Sequence, residues 1–135
     1  MNLSADALQS ALSAAARKAE AMGVAVNIAL VDAGGNLAAF LRMPGAFLAS
    51  IDIAIDKAWT ANSFGMSTTD FAAMLEGESA MVRDGLMSRH RVAAFPGGHP
   101  LRRDDAMLGA IGVSGASAGQ DDEIALAGLM ALTEK

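Results

Sequence analysis

A strand interrupted by glycines and followed by an acidic helix start constrains the fold of this chain most. Residues 109–115 read Gly-Ala-Ile-Gly-Val-Ser-Gly, and Gln120-Asp121-Asp122-Glu123 then opens a run rich in alanine and leucine. Glycine weakens a strand unless another backbone or a ligand must approach closely. The segment therefore predicts a strand followed by a helix, with its glycines at a pocket or at a contact between subunits.

Hydrophobic periodicity divides the rest of the chain into helices and strands. The predicted helices cover residues 4–22, about 51–62, 67–82 and the C-terminal run, and the predicted strands cover 24–32, 37–43, 92–95, 100–104 and 107–114. Gly34-Gly35-Asn36 is typical of a tight reversal between the first two strands. Ser67 and Asp70 are placed as a capping box. This order predicts a single α+β domain over residues 1–135, with one five-stranded antiparallel sheet and helices mainly on one face.

The C-terminal helix is apolar around nearly its whole circumference. Leu126, Leu129, Met130 and Leu132 cannot all face one sheet from a single helix. Two interpretations stay open. In one, part of the helix contacts a second subunit, and in the other the helix is entirely internal.

Composition excludes several classes of protein. The chain has no cysteine, which removes disulfides, thiolate metal sites and a cysteine nucleophile, and no metal site is expected. A net charge of −5 argues against nucleic acid as the main partner. Five of the ten basic residues lie between Arg83 and Arg103, which leaves either a local anion-attracting surface or an ordinary solvated face. With no signal-peptide pattern at the start and no long apolar run, we expect a cytoplasmic protein without a membrane partner.

Six short motifs occur in the order and approximate spacing of one known family. They are Val31-Asp32-Ala33-Gly34-Gly35-Asn36-Leu37, Arg42-Met43-Pro44-Gly45-Ala46, Lys57-Ala58-Trp59-Thr60-Ala61, Phe95-Pro96-Gly97-Gly98-His99-Pro100, Gly109 to Gly115, and Gln120-Asp121. Over nearly its whole length the chain resembles the GlcG/HbpS-like family, which includes the C-terminal domain of PduO-type corrinoid adenosyltransferases. The resemblance implies a profilin-like five-stranded sheet in the order α-β-β-α-α-β-β-β-α, assembly into homo-oligomers, and binding of haem or a related tetrapyrrole.

Two departures from the family pattern affect the expected site. PduO-type domains resemble haem binders that use a histidine near the start of the chain, whereas no histidine precedes His90 here. Pro44 occupies the place of an aspartate in the family's usual Arg-Met-Asp-Gly-Ala. Haem held without the N-terminal histidine should bind more weakly.

His99 is the first candidate for a functional residue. It follows Gly97 and Gly98, which let a loop backbone come close to a ligand, and its imidazole can act as an acid, a base or a ligand near neutral pH. The alternative is an exposed loop histidine beside a proline. His90, flanked by Arg89 and Arg91, is expected to be a surface residue without a role.

Lys57, Thr60 and Arg42 complete the predicted site. Lys57 and Thr60 share one side of the second helix, where the ammonium would meet a ligand carboxylate or pair with an acidic residue of the protein. Arg42, at the end of the second strand, would clamp a carboxylate or a propionate. Asp121 and Asp122 suit a helix N-terminus electrostatically.

Two functions of different classes follow from these residues. One is an oligomeric binding protein for haem or another planar anionic cofactor, held by Arg42, Lys57, Thr60, Gly97, Gly98 and His99. The other is an isomerase, tautomerase or lyase acting on a small carboxylate, in which His99 transfers the proton and Lys57 or Arg42 binds the acid. A serine hydrolase is not indicated, because no G-x-S-x-G pattern surrounds Ser114.

Overall fold

A computed structural model describes residues 3–133, which form five helices and four strands. The elements are α1 (Ala5–Ala21), β1 (Asn27–Asp32), β2 (Leu37–Arg42), α2 (Ala49–Phe64), α3 (Thr68–Glu76), α4 (Ala80–Met87), β3 (Gly98–Arg103), β4 (Ala106–Ser114) and α5 (Ala118–Thr133). The α+β class and the β1–β2 hairpin are confirmed. None of the helices in the described part of the chain is long and apolar enough to cross a membrane.

The described strands form one antiparallel sheet in the order β2-β1-β4-β3, so the expectation of five strands is wrong. The missing strand is the one predicted at 92–95, which is irregular. The flanking backbone bonds a side chain instead: Thr60 Oγ1 donates to Arg91 O at 3.0 Å and accepts from Ala93 N at 3.0 Å. The backbone of this segment therefore hydrogen-bonds a threonine side chain of α2, and not the neighbouring strand that the apolar pattern suggested.

Helices cover both faces of the sheet, and the expectation that they lie mainly on one face is also wrong. Ile28 and Ile111 pack with buried residues of α1 and α5. On the opposite face, Ala29 and Ala110 pack against buried alanines of α2. Strand residues alternate between faces, and both sets of positions are apolar here, so both faces need cover.

Gly112 explains one of the glycines that interrupt β4. A Cβ at this position would collide with Ala54 O and Ala58 N of α2. The glycine thus admits the α2 backbone, which is a close approach within the chain rather than a pocket or a subunit contact.

The helix predicted over 67–82 is divided into α3 and α4. Ser67 caps α3, since its Oγ accepts from Asp70 N at 3.1 Å, as the sequence predicted. The first helix ends at Gly77, and a new helix begins after Ser79. Ser79 Oγ accepts from Val82 N at 3.4 Å and so caps α4. None of the residues of α4 is buried. Two local caps therefore outweigh the continuous helical periodicity.

The last helix, α5, is partly internal and partly exposed. Ile124, Ala125 and Leu132 are buried in the core shared with α1. Leu126 and Met130 remain 39% and 57% exposed. The entirely internal alternative is therefore wrong for the chain on its own.

Candidate functional site

Side chains from α2, β3 and α5 meet at one end of the sheet, beside the start of α5. β3 begins at Gly98, which pairs with Gly112, so β4 extends beyond it. There Gly97 O accepts from Val113 N at 2.9 Å, and Lys57 Nζ donates to Val113 O at 2.8 Å. The Lys57 ammonium therefore takes the place of a neighbouring strand at the end of β4.

Lys57 is fully buried and carries its charge into the protein interior. Its Nζ lies 3.2 Å from Asp121 Oδ2 and 4.6 Å from the centre of the Phe95 ring. Burial lowers the pKa of Lys57, and attraction to Asp121 opposes that shift. The ammonium is thus held by a carbonyl, a carboxylate and an aromatic face.

Asp121 is the counter-charge of Lys57 and is itself 3% exposed. Its Oδ1 accepts from Ala116 N at 2.9 Å, which fixes the turn that leads into α5. Burial raises the pKa of Asp121, while the Ala116 N–H and the charge of Lys57 act in the opposite direction. Both oxygens are therefore engaged within the protein.

His99 forms a second pair with the neighbouring carboxylate. Its Nε2 lies 2.7 Å from Asp122 Oδ1, with the two side chains 14% and 28% exposed. None of the described residues hydrogen-bonds its Nδ1. When the neutral imidazole donates from Nε2, Nδ1 carries the lone pair, which can accept a proton or bind a metal. The arrangement is a carboxylate-oriented imidazole, as found in acid–base and metal sites.

Gly97 and Gly98 bring the loop against α2 rather than against an open cavity. Gly97 has φ 127°, and a Cβ there would lie 2.9 Å from Lys57 Nζ. Gly98 N donates to Thr68 Oγ1 at 2.9 Å. Both glycines are buried. The positive φ of Gly97 and the absence of a side chain at Gly98 let the loop close over Lys57.

The structure brings four of the six predicted site residues together at Lys57: the lysine itself, Gly97, Gly98 and, through adjacent carboxylates, His99. Thr60 lies one helical turn further along α2 and holds the loop at Arg91 and Ala93. Arg42 lies on β2, the opposite edge of the sheet, where its Nε donates to Ala46 O at 3.2 Å. Arg42 is therefore separated from β3 by two strands.

Three residues of this site carry no direct functional signal that is evident in the sequence alone. Asp121 and Asp122 were interpreted as helix-start acids, which they are, but each also has a partner in another element. Phe95, 44% exposed beside the glycine loop, was placed in a strand. An indirect signal exists for the carboxylates, because a lysine on a helix face that packs in a core requires a counter-charge.

A surface cavity at the other end of the sheet lies away from this site. It has a volume of about 560 Å³ and is lined by residues that include Asp32, Asn36 and Met107. Asp32 pairs with Gly109, at the end of β1 and β4 opposite Ser114. None of the predicted site residues lines it.

A four-stranded antiparallel sheet between two helical layers defines a small α+β domain with a polar cluster at one sheet end. A family model described as "Haem degrading protein HbpS-like" matches residues 3–130. The chain belongs to this HbpS-like family, as the six motifs predicted.

Relatives of known name or structure support this assignment. The chain is 35% identical over 132 residues to the corrinoid adenosyltransferase PduO of Citrobacter freundii. This match covers 98% of this chain and 39% of that protein. It thus spans about two fifths of the length of that curated relative. A solved complex of PduOC with haem is 33% identical, with a TM-score of 0.89 and coverage of 97% of this chain and 95% of that one. A double mutant of HbpS from Streptomyces reticuli is 34% identical, with a TM-score of 0.87 and coverage of 98% and 88%.

Proposed function

We propose that this protein binds haem or a related tetrapyrrole. The observation that carries the proposal is the likeness to PduOC, whose solved structure is a haem complex and which matches 97% of this chain. The HbpS-like description of the family points to the same ligand class. Fold alone does not fix function, so the proposal depends on whether residues of this chain fit the ligand.

The residues around His99 include the types of side chain that bind haem. An imidazole nitrogen is a common haem-iron ligand, and Nδ1 of His99 has no protein partner among the described residues. The exposed ring of Phe95 offers an apolar face of the sort on which a planar macrocycle packs. Bound haem would supply an iron centre for redox chemistry. Arg42 stays a prediction as a partner of a propionate.

A haemin titration of the purified protein, followed by visible absorption, tests this function. Binding through the imidazole predicts an iron-dependent spectrum, and His99→Ala should raise Kd at least about tenfold. His90→Ala is the matched control, since the chain has two histidines and His90 is exposed. An unchanged spectrum with wild-type protein would contradict haem binding, and a tight complex insensitive to His99→Ala would remove His99 from the site.

The pairing of His99 with Asp122 favours proton transfer as a second candidate function. A carboxylate that holds one imidazole nitrogen leaves the other positioned as a general base. The substrate class would be a small carboxylate with an acidic C–H bond. Proton–deuterium exchange of pyruvate in D₂O, measured by NMR, should then be accelerated by the wild-type protein and lost in His99→Ala. Exchange no faster than in buffer would count against this candidate.

We also propose that the protein is a cytoplasmic homo-oligomer. The exposed side chains of Leu126 and Met130 on α5 support a contact between subunits, because burying their exposed parts would add a share of the about 1.5–3 kcal/mol that full burial of such a side chain is worth.

A further inference from the structure

Two consecutive carboxylates at the start of α5 hold partners from two different elements. Asp121 pairs with Lys57 of α2, and Asp122 pairs with His99 of β3. Adjacent residues of a helix share one hydrogen-bonded backbone, so a shift of this helix end moves both carboxylates together. The place of Asp122 beside His99 therefore depends on what fixes Asp121.

Among the hydrogen bonds and ion pairs of Asp121, the one to Lys57 joins it to another element of the fold. The same ammonium that lies 3.2 Å from Asp121 donates to Val113 O at 2.8 Å. It therefore joins the start of α5 to the end of β4. The bond from Ala116 N to Asp121 Oδ1 is local to the connecting turn and cannot by itself fix the helix relative to the sheet.

Lys57 also fixes the loop that presents His99. The Phe95 ring lies over its ammonium at 4.6 Å, and Gly97 packs so closely on its side chain that no Cβ fits without displacing Nζ. One buried side chain thus contacts the loop before His99 and the helix end that holds the partner of His99.

We infer that Lys57 is a positioning residue of the His99 site, acting through Asp121 and the start of α5 on Asp122, and through Phe95 and Gly97 on the loop. It has no exposed surface and so does not itself meet a ligand. Its effect on ligand binding rests on the proposed function, whereas its effect on the geometry of His99 does not.

A double substitution separates positioning from stability. Lys57→Met/Asp121→Asn removes both buried charges at nearly constant volume and leaves a side-chain amide oxygen at position 121 that can accept from Ala116 N. Replacing a buried ion pair by uncharged residues is often neutral for stability, whereas the loss of the donor to Val113 O is unfavourable, so we expect a folded variant with a moderately lower melting temperature. Haemin should nevertheless bind about tenfold or more weakly, the usual effect of losing a residue that orients a ligand. Wild-type haemin affinity in the folded double variant would overturn the inference.

A second measurement needs no haem. Modification by diethyl pyrocarbonate, with each histidine quantified by peptide mass spectrometry, gives the rate at His99 relative to exposed His90 in the same molecule. Release of the α5 start should raise this ratio about threefold or more in the double variant, because local opening exposes the imidazole. Asp121→Asn alone provides a second variant, in which the ratio should also rise, because Lys57 then loses its carboxylate partner.

The two readouts distinguish the possible failures. If wild-type protein does not bind haemin but the His99 ratio rises in the variants, the proposed function fails and the positioning role stands. If the ratio stays at the wild-type value in both Lys57→Met/Asp121→Asn and Asp121→Asn, Lys57 does not position His99.

Discussion

At the scale of single residues, the ammonium of Lys57 lies in the protein interior, where desolvating a charge is unfavourable. It is fully buried, and its carboxylate partner Asp121 is nearly so. Desolvating two charges offsets most of their attraction, so such a pair contributes little net stability. Removing one member has a much larger effect, because the other is left buried without a partner.

Lys57→Met should therefore destabilise the protein by about 3–5 kcal/mol at neutral pH. Chemical denaturation followed by circular dichroism measures the change. Lys18→Met is the control, since Lys18 is exposed on α1 and its loss should cost no more than about 0.5 kcal/mol. Equal stability of the two variants would show that the Lys57–Asp121 pair does not form in solution.

The loss of unfolding free energy caused by Lys57→Met should become smaller at acidic pH. Burial already raises the folded-state pKa of Asp121 above 3.8. The charge of Lys57 and its hydrogen bond both lower this pKa, so the pKa rises further when Lys57 is removed. A carboxyl whose pKa is raised by folding contributes stability below its unfolded pKa and loses it as pH rises through the folded pKa. The difference between wild type and Lys57→Met should thus be smallest near pH 3.8 and grow toward neutral pH. A difference independent of pH would exclude an uncompensated Asp121 as the cause.

At the scale of elements, α2 organises one side of the molecule with residues from successive turns. Ala54 and Ala58 pack against Gly112 of β4, while Lys57 and Thr60 contact the chain between α4 and β3. Residues three or four apart lie on one side of a helix. The side of α2 that faces the sheet therefore also fixes the loop leading to His99.

Gly112→Ala should separate α2 from β4. The added Cβ meets backbone atoms of Ala54 and Ala58, which cannot rotate away as a side chain would. We expect a loss of about 3 kcal/mol, at the upper end for an overpacked core. Gly85→Ala is the matched control, because nothing lies within 4 Å of a Cβ there, and alanine in α4 should be neutral or stabilising by about 0.5–1 kcal/mol. A tolerated Gly112→Ala would contradict the close packing of α2 on β4.

Thr60→Val should loosen the loop that follows α4. Its hydroxyl bonds both Arg91 O and Ala93 N, and valine leaves the Ala93 N–H without its acceptor at a cost of about 1–3 kcal/mol. Limited trypsin digestion should then cut after Arg91 several-fold faster than in the wild type. Thr69→Val, at an exposed position in α3, is the control. Equal cleavage rates for the wild type and Thr60→Val would show that Thr60 does not hold the loop.

At the scale of the whole molecule, the apolar surface left on α5 favours self-association. Leu126 and Met130 lie one helical turn apart and are both exposed. Leu126→Glu/Met130→Glu should shift the protein toward a 13.7 kDa monomer in light scattering at micromolar concentration. Met81→Glu, on exposed α4, should leave the mass unchanged. A wild-type protein that is already monomeric at that concentration would contradict assembly through α5.

Elements with local signals can be predicted from the amino-acid sequence. The β1–β2 hairpin follows from alternation around Gly34-Gly35-Asn36, and the start of α3 follows from Ser67. The last strand and helix follow from an apolar run with glycines and from the acidic start of an alanine- and leucine-rich run. The family could also be recognised from the sequence, because six short motifs keep the family's order. Each of these signals involves neighbours in the chain, so no knowledge of packing is required.

The partners of these elements depend on long-range packing. Residues 92–95 have a strand pattern, but the backbone at Arg91 and Ala93 bonds the Thr60 side chain instead of a strand. Helices cover both faces of the sheet because β1 and β4 bury side chains on each. Lys57 finds Asp121 across 64 positions of the chain, and His99 finds Asp122 across 23. Such contacts arise when β3, α2 and α5 pack at one end of the sheet. Local propensity carries no information about which distant charge a buried ammonium will meet, because that choice is made by the packing that excludes water around it.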